Sequence, residues 1–195
     1  MTATLPPPDQ ALLFDLDGTL VNTWEANYRS YRDSLAEIGR KCPPSAFAPC
    51  FGKHWRDFLP ALSGTDDASV LQRLHRRKQE IYPCHLNTVV VNGPLVSFLR
   101  LAHNTWRTGL VTTASRSNTS QLLSHLSLED AFDRIITGDD VQRPKPDAEG
   151  YERCLADLGA IPRKSLAFED SPTGIAAAKA AGLQVLVVTG FQSKP

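Results

Sequence analysis

The stretch ALLFDLDGTLV, residues 11–21, decides the fold class of this chain. Its first four residues are apolar and predict a buried strand, and Gly18 predicts a turn directly after it. Asp15 and Asp17 lie between strand and turn, where both carboxylates can face the same crevice. Two adjacent carboxylates are unfavourable without a cation or a shared proton, so the stretch predicts a functional site. A solvated turn or a helix cap is the plain alternative.

Downstream of residue 90, predicted strands and helices alternate along the chain. The strands are predicted over 108–113, 134–137, 165–168 and 184–189, and the helices over 94–104, 118–126, 147–158 and 173–181. This alternation indicates an α/β fold with a Rossmann-like parallel sheet of about five strands and helices on both faces.

A mainly helical segment interrupts that alternation directly after the first strand. Helical spacing of apolar residues predicts helices over 24–38, 54–62 and 68–82, whereas three prolines and two cysteines predict a loop over 42–50. We therefore expect a catalytic core formed by 1–21 and 91–195, with an inserted α-helical cap over 22–90.

Composition excludes several classes of protein. The 195 residues are 42% hydrophobic and 22% charged, which is ordinary for a globular chain long enough to bury a sizeable core. The 21 basic and 21 acidic residues balance, so neither a nucleic-acid surface nor an acidic tail is predicted. No apolar run approaches a membrane span and the start lacks a secretory signal, so we expect a cytoplasmic protein without a membrane partner.

The four cysteines, at positions 42, 50, 84 and 154, form no CxxC pair, and the five histidines show no zinc-ligand spacing. Reduced thiols are the expected state. A bridge between Cys42 and Cys50 is the alternative.

A second acidic pair, Glu169-Asp170, follows the apolar strand residues 166–168. Helix capping alone would account for Asp170 and the serine after it. However, two strands that both end in acidic pairs suggest one site for a hard cation, and Mg²⁺ prefers such oxygen ligands.

Two further groups could bind an anion. Thr112, Thr113 and Ser115 offer hydroxyl groups and backbone N–H groups at a strand-to-helix turn, although ordinary helix capping uses the same residues. Lys145, held between two prolines, could place a positive charge on a phosphate, although a surface lysine is the plain alternative.

Together these four clusters resemble the motifs of the haloacid dehalogenase superfamily, in the same order along the chain. DLDGTLVNT (15–23) is similar to the nucleophile motif, VTTAS (111–115) to the second, RPKPD (143–147) to the third, and FEDSPTGIAAAKAAG (168–182) to the metal-binding motif. The small helical cap resembles that of the phosphoglycolate phosphatase and β-phosphoglucomutase group.

The resemblance implies a role for each matched residue. Asp15 would be the nucleophile, and Asp17 the general acid and base, with its backbone carbonyl on Mg²⁺. Asp15 and Asp170 would be carboxylate ligands, with Glu169 a supporting or alternate ligand. Lys145 would neutralise the charge of Asp15 and of the phosphoryl group. The phosphate would lie on a second set of groups: Gly18, Thr113, Ala114 and Ser115.

The resemblance leaves the substrate open. Arg116 either reaches the substrate or is a solvated residue at a helix start. In the cap, Lys78 matches a lysine of the group and Lys53 lies in a basic loop, so both are candidate substrate-binding residues. We expect a Mg²⁺-dependent phosphatase for a small phosphorylated metabolite, acting as a monomer.

Two alternatives remain at this point: a sugar phosphomutase, and a catalytically silent binding protein on the same fold. Mutases of this group have a histidine where Asn27 stands here, which disfavours the first. The presence of every catalytic residue type disfavours the second. Residues 22–92 carry ten basic and seven acidic residues, so a basic cap is expected beside an acidic core.

Overall fold

The computed structural model describes residues 9–189 and 191, which form two compact units. Within those residues, the sheet unit comprises 9–22 and 91–191 apart from residue 190, and the helical unit comprises 23–90. The predicted core also contains residues 1–8, 190 and 192–195, which lie outside the described part of the chain.

The main elements, in chain order, are β1 (Ala11–Phe14), β2 (Val21–Asn22), α1 (Trp24–Ala36), α2 (Pro44–Phe47), α3 (Trp55–Ser63), α4 (Ala68–Ile81), β3 (Val90–Val91), α5 (Gly93–Ala102), β4 (Arg107–Val111), α6 (Arg116–Leu126), β5 (Arg134–Ile136), α7 (Glu149–Leu158), β6 (Leu166–Glu169), α8 (Pro172–Ala180) and β7 (Gln184–Val187). Short 3₁₀ turns connect several of them. Among the described residues, no helix combines the length and the apolar character needed to cross a membrane.

The sheet unit contains a five-stranded parallel sheet in the order β5-β4-β1-β6-β7, with helices on both faces. This confirms the predicted α/β fold. Strand β1 lies at the centre, and all four of its residues are buried. A continuous apolar run is typical of a strand that is covered on both faces, which explains why this stretch contains no alternation of polar residues.

Side chains from the two faces of β1 enter different cores. Leu13 packs in a cluster with residues of α7 and α8, including Tyr151 and Ala177. Phe14 points the other way, because successive strand residues alternate, and stacks on Phe168 with ring centroids 4.6 Å apart. The two layers of packing hold the carboxyl end of β1 in place.

The helical unit has its own aromatic core. Trp24, Tyr31 and Phe58 pack around Phe47, which is 1% exposed. The prediction of a loop over 42–50 is wrong, because the chain forms α2 and then a 3₁₀ turn over Ala48–Cys50. Pro44 occupies the first helical position, where a proline costs no hydrogen bond, and the segment gains the burial of Phe47.

All four cysteines are free thiols, so the alternative of a disulfide bridge between Cys42 and Cys50 is wrong. Cys42 and Cys50 are both buried in the helical unit. Burial raises the pKa of each thiol above its ordinary value, which favours the protonated form.

Candidate active site

Polar side chains follow three neighbouring strands of the sheet at their carboxyl ends. Asp15 comes directly after β1, Thr112 comes after β4, and Glu169 ends β6. Because β1 lies between β4 and β6, these ends meet at one edge of the sheet. Crevices at this edge are where open α/β sheets bind ligands.

Lys145 connects these strand ends. Its ammonium group donates to Asp15 Oδ1 at 2.7 Å, to Glu169 Oε1 at 2.6 Å and to the backbone carbonyl of Val111 at 2.9 Å. The side chain is only 7% exposed, so it is a buried cation rather than the surface lysine of the plain alternative. Burial opposes its charge, but the carboxylates of Asp15 and Glu169 outweigh burial and hold the pKa of Lys145 well above its usual value.

Three carboxylates crowd around this ammonium group. Asp15, Glu169 and Asp170 each place one oxygen within 4.8 Å of the others. Burial raises the pKa of Asp15 well above its usual range, the charges of Glu169 and Asp170 add to the rise, and Lys145 opposes it. Burial and then the charge of Glu169 raise the pKa of Asp170 as well. Three carboxyl groups thus lie around one ammonium group, and both burial and their mutual repulsion oppose their ionisation without a further cation.

The turn after β1 fits closely against the second acidic pair. Gly18 has a φ of 95°, a backbone conformation that favours glycine, and a Cβ there would overlap the carboxylate of Asp170. Thr19 Oγ1 donates to Asp170 Oδ1 at 3.2 Å. Asp17 is half-buried in the same turn and forms a β-bridge with Val21. Asp15, Glu169 and Asp170 thus lie at one place, and the backbone of Asp17 belongs to the turn that contacts Asp170.

The Thr/Ser turn after β4 is held by its own hydrogen bonds. The predicted strand over 108–113 ends at Val111, and Thr112 Oγ1 accepts from the Ala114 N–H at 3.1 Å. The Ala114 carbonyl accepts from the Gly138 N–H at 2.8 Å, and a Cβ on Gly138 would overlap the Thr113 carbonyl. The Ala114 N–H, which the resemblance assigns to the phosphate, is bonded to Thr112 in this structure.

Ser115 caps α6, because its hydroxyl accepts from the Asn118 N–H at 3.3 Å. Arg116, the first residue of α6, is exposed and turned toward two other acidic groups. Its N–H donates to Asp139 Oδ2 at 2.8 Å, and its guanidinium pairs with Asp140. The structure gives Arg116 these partners and does not bring it to the cluster of three carboxylates.

Lys53 and Lys78 belong to the helical unit. Lys53 is exposed. Lys78 is 2% exposed and donates to Asn27 Oδ1 at 2.7 Å, and Asn27 in turn donates to Thr23 Oγ1 at 2.8 Å. The ammonium of Lys78 also lies 4.3 Å from the ring centroid of Tyr82. Lys78 is thus a packed residue of its unit.

The residues at the sheet edge fit a divalent cation. Asp15 Oδ2 is buried and has no hydrogen-bond partner within residues 9–189 and 191, which is costly unless a ligand approaches it. Glu169 Oε2 accepts a long hydrogen bond from Ser171, at 3.3 Å. Carboxylate oxygens with surplus negative charge are the donor set that Mg²⁺ prefers. Asp15, Glu169 and Asp170 could therefore hold such an ion.

Sequence reasoning missed two residues that contact Glu169. Tyr151, on α7, donates its hydroxyl hydrogen to Glu169 Oε1 at 2.7 Å. Gly174, on α8, leaves the space that this carboxylate occupies, because a Cβ there would overlap it. The one signal available was a tyrosine in the buried stripe of a helix, since a buried hydroxyl needs a polar partner.

Residues 12–188 match the family model described as haloacid dehalogenase-like hydrolase. The chain is 29% identical over 180 residues to the phosphorylated carbohydrates phosphatase of Thermotoga maritima, covering 90% of this chain and 82% of that protein. It is 28% identical over 178 residues to the fructose-1-phosphate phosphatase YqaB of Escherichia coli, covering 91% and 95%.

A solved structure shares the fold over nearly the whole chain. The crystal structure of CbbY from Rhodobacter sphaeroides in complex with phosphate superposes with a TM-score of 0.81 at 25% identity. The match covers 93% of this chain and 86% of that one.

Proposed function

Because the chain belongs to the haloacid dehalogenase-like hydrolase family and is a phosphatase of that family, we propose that it hydrolyses a small phosphorylated metabolite through an aspartyl-phosphate intermediate, with Mg²⁺ as the cation. Sugar phosphates are the first class to test, since the two related phosphatases are named for them. Fold alone does not choose among substrates.

One observation supports this proposal above the others. A single buried ammonium group, on Lys145, bonds both Asp15 and Glu169, while the second oxygen of Asp15 stays buried without a partner. A carboxylate can attack an anionic phosphate only where positive charge cancels the repulsion. Lys145 supplies part of that charge and orients Asp15.

The reaction would proceed in two steps at Asp15. A carboxylate oxygen of Asp15 forms a bond to phosphorus as the bond to the leaving alcohol breaks, and Asp17 gives that alcohol its proton. Water then attacks the phosphorus of the aspartyl-phosphate and gives a proton to Asp17 as the bond between phosphorus and the Asp15 oxygen breaks, so inorganic phosphate leaves with Asp15 restored.

The remaining groups hold the phosphoryl oxygens and the cation. Thr113, Ala114 and Ser115 line the turn after β4 and are our candidates for the phosphoryl oxygens, with Lys145 beside them. Mg²⁺ held by Asp15, Asp170 and the Asp17 carbonyl, with Glu169 as a further oxygen donor, would neutralise charge that develops on the phosphoryl group. Exposed Lys53 is our candidate for a second anionic group of the substrate.

The test is phosphate release from a panel of sugar phosphates, 2-phosphoglycolate and nucleoside monophosphates, with Mg²⁺ and with excess chelator. We expect release that needs Mg²⁺, and Asp15→Asn should lower kcat by about 10⁴-fold or more, the scale for removing a nucleophile. Asp130→Asn is the matched control, because Asp130 is exposed on the 3₁₀ turn Glu129–Ala131, away from these strand ends.

Three results would contradict the proposal. The first is a folded protein that releases no phosphate across the panel, and the second is release that survives Asp15→Asn. The third is interconversion of sugar phosphates that depends on a bisphosphate and yields no net phosphate, which would establish a phosphomutase instead.

A further inference from the structure

Tyr151 is a buried polar residue that the proposed reaction does not use. It lies on α7 and its exposed fraction is 0%. Burying a hydroxyl group without a partner is costly, and here the partner is the Glu169 carboxylate, 2.7 Å away. Hydrogen bonds to a charged acceptor are stronger than neutral ones, so this contact constrains both side chains.

The two oxygens of Glu169 have very different surroundings. Oε1 accepts from Tyr151 at 2.7 Å and from Lys145 at 2.6 Å. Oε2 accepts from Ser171 at 3.3 Å. The carboxylate therefore has one oxygen that accepts two short hydrogen bonds and one oxygen whose hydrogen bond, from Ser171, is long.

Packing closes off other positions for this carboxylate. Glu169 is 0% exposed, and Gly174 lies so close that a Cβ would overlap it. The Lys145 ammonium lies 5.2 Å from the ring centroid of Tyr151, so the tyrosine contacts both charged partners at once. Its hydroxyl bonds the anion and its ring face lies near the cation.

We propose that Tyr151 is a positioning residue of the metal centre, whose hydroxyl fixes Glu169 Oε1 and thereby reserves Oε2 for a divalent cation. It touches neither substrate nor cation and acts through Glu169. Without the hydroxyl, Oε1 has Lys145 as its remaining donor, and a single donor constrains the tilt of the carboxylate plane less than two donors do. The proposal rests on the proposed function only in taking Mg²⁺ as the cation.

The test measures Mg²⁺ affinity directly, by titration calorimetry on the full chain without substrate. Tyr151→Phe keeps the ring and removes the hydroxyl group, and we expect Mg²⁺ to bind about tenfold more weakly, the scale for outer hydrogen bonds to metal ligands. Tyr82→Phe is the matched control, because Tyr82 is 2% exposed and lies in the helical unit. Its Mg²⁺ affinity should stay that of the unaltered protein.

A second variant separates positioning from general loss of structure. In a Glu169→Gln background, Tyr151→Phe should cause no further loss of Mg²⁺ affinity, because the hydroxyl would have no carboxylate to orient. A merely structural role would weaken both backgrounds alike and would overturn the proposal.

The outcomes also separate this inference from the phosphatase proposal. Equal Mg²⁺ affinity in Tyr151→Phe and the unaltered protein overturns the role of Tyr151, whatever the activity. An unaltered protein without measurable Mg²⁺ affinity overturns it as well. A protein that binds Mg²⁺ and loses affinity in Tyr151→Phe, but releases no phosphate, supports the inference and contradicts the phosphatase proposal.

Discussion

Each of the two units buries a lysine, and the two lysines are stabilised in different ways. In the sheet unit, Lys145 lies between the carboxylates of Asp15 and Glu169. In the helical unit, the partners of Lys78 include the neutral amide of Asn27 and the rings of Tyr31 and Tyr82. Full charges help to offset the cost of taking the Lys145 ammonium out of water, and a neutral amide and ring faces of its own unit help to offset that cost for Lys78.

The partners of the two lysines reflect how acidic and basic residues are distributed between the strand ends and the helical segment. Around Lys145, the carboxylates outnumber the ammonium, so the strand ends can accept a cation. The segment 22–92, which contains the helical unit, carries three more basic than acidic residues. The two buried lysines therefore differ in the partners that their own units supply: carboxylates for Lys145, and a neutral amide and two aromatic rings for Lys78.

Replacing each lysine by methionine should produce the largest difference in stability between the two units. Lys145→Met leaves two buried carboxylates without their cation, and we expect it to lower the free energy of unfolding by about 3–5 kcal/mol. Lys78→Met leaves the Asn27 amide oxygen without this donor, and we expect a loss of about 1–2 kcal/mol.

Both values can be measured by urea unfolding in the presence of chelator, so that no divalent cation compensates the lost charge. Equal losses in the two variants would mean that the kind of partner does not matter, and the comparison would fail.

Two glycines at helix positions differ in the space around them, and only Gly174 of these two lies against the charged cluster. Gly174→Ala places a methyl group onto the Glu169 carboxylate, and we expect a loss of about 1–3 kcal/mol together with weaker Mg²⁺ binding. Gly93→Ala, at the start of α5, has open space at the same position and should be neutral or stabilising by up to about 1 kcal/mol. Thermal unfolding of both variants checks this, and similar behaviour of the two would contradict it.

The smallest effect concerns Asp33, a carboxylate of the helical unit. Asp33 Oδ2 lies 2.9 Å from His85 Nε2, and Asp33 also pairs with Arg32. Burial opposes the charge of Asp33, but the hydrogen bonds from Arg32 and His85 outweigh it and hold the pKa of Asp33 below its ordinary 3.8. A lowered pKa stabilises the folded state above the ordinary value, and this contribution disappears as pH falls through the folded-state pKa.

Asp33→Asn should therefore cost about 0.5 kcal/mol at pH 7, because this partly exposed pair is screened by solvent. The difference from the unaltered protein should shrink as the pH is lowered below 3.8. Urea unfolding at pH 7 and pH 3 measures both values, and a difference that persists unchanged at pH 3 would show that it does not arise from ionisation of Asp33.

Several parts of the fold could be predicted because their signals are local. The buried run at 11–14 and the helical periodicity over 24–38 depend on nearby residues, and the structure has β1 at the first and α1, which ends at Ala36, in the second. The helix within segment 42–50 could not be predicted in this way, because it depends on the packing of Phe47 against the rings of Tyr31 and Phe58. Proline-rich sequence alone favours a loop, and burial of one side chain outweighs that preference.

The candidate site divides in the same way. Asp15, Asp17, Glu169 and Asp170 stand out in the sequence because acidic residues directly follow apolar strands. Their proximity required the sheet order, which places β6 next to β1. The hydrogen bond from Thr19 to Asp170 joins residues that are 151 positions apart in the sequence. Tyr151 gave no such signal, because a tyrosine in an apolar stripe is equally typical of a core.

Hydrophobic periodicity and turn chemistry act over a few residues, so the fold class and the residue types at the strand ends could be predicted from the sequence. Which charges meet is set by the tertiary structure. It joined Lys145 to Asp15 and Glu169, gave Lys78 the partner Asn27 and left one oxygen of Asp15 unpartnered. Electrostatic contacts of this kind depend on distances through space, which strand order and helix packing set and local sequence does not contain.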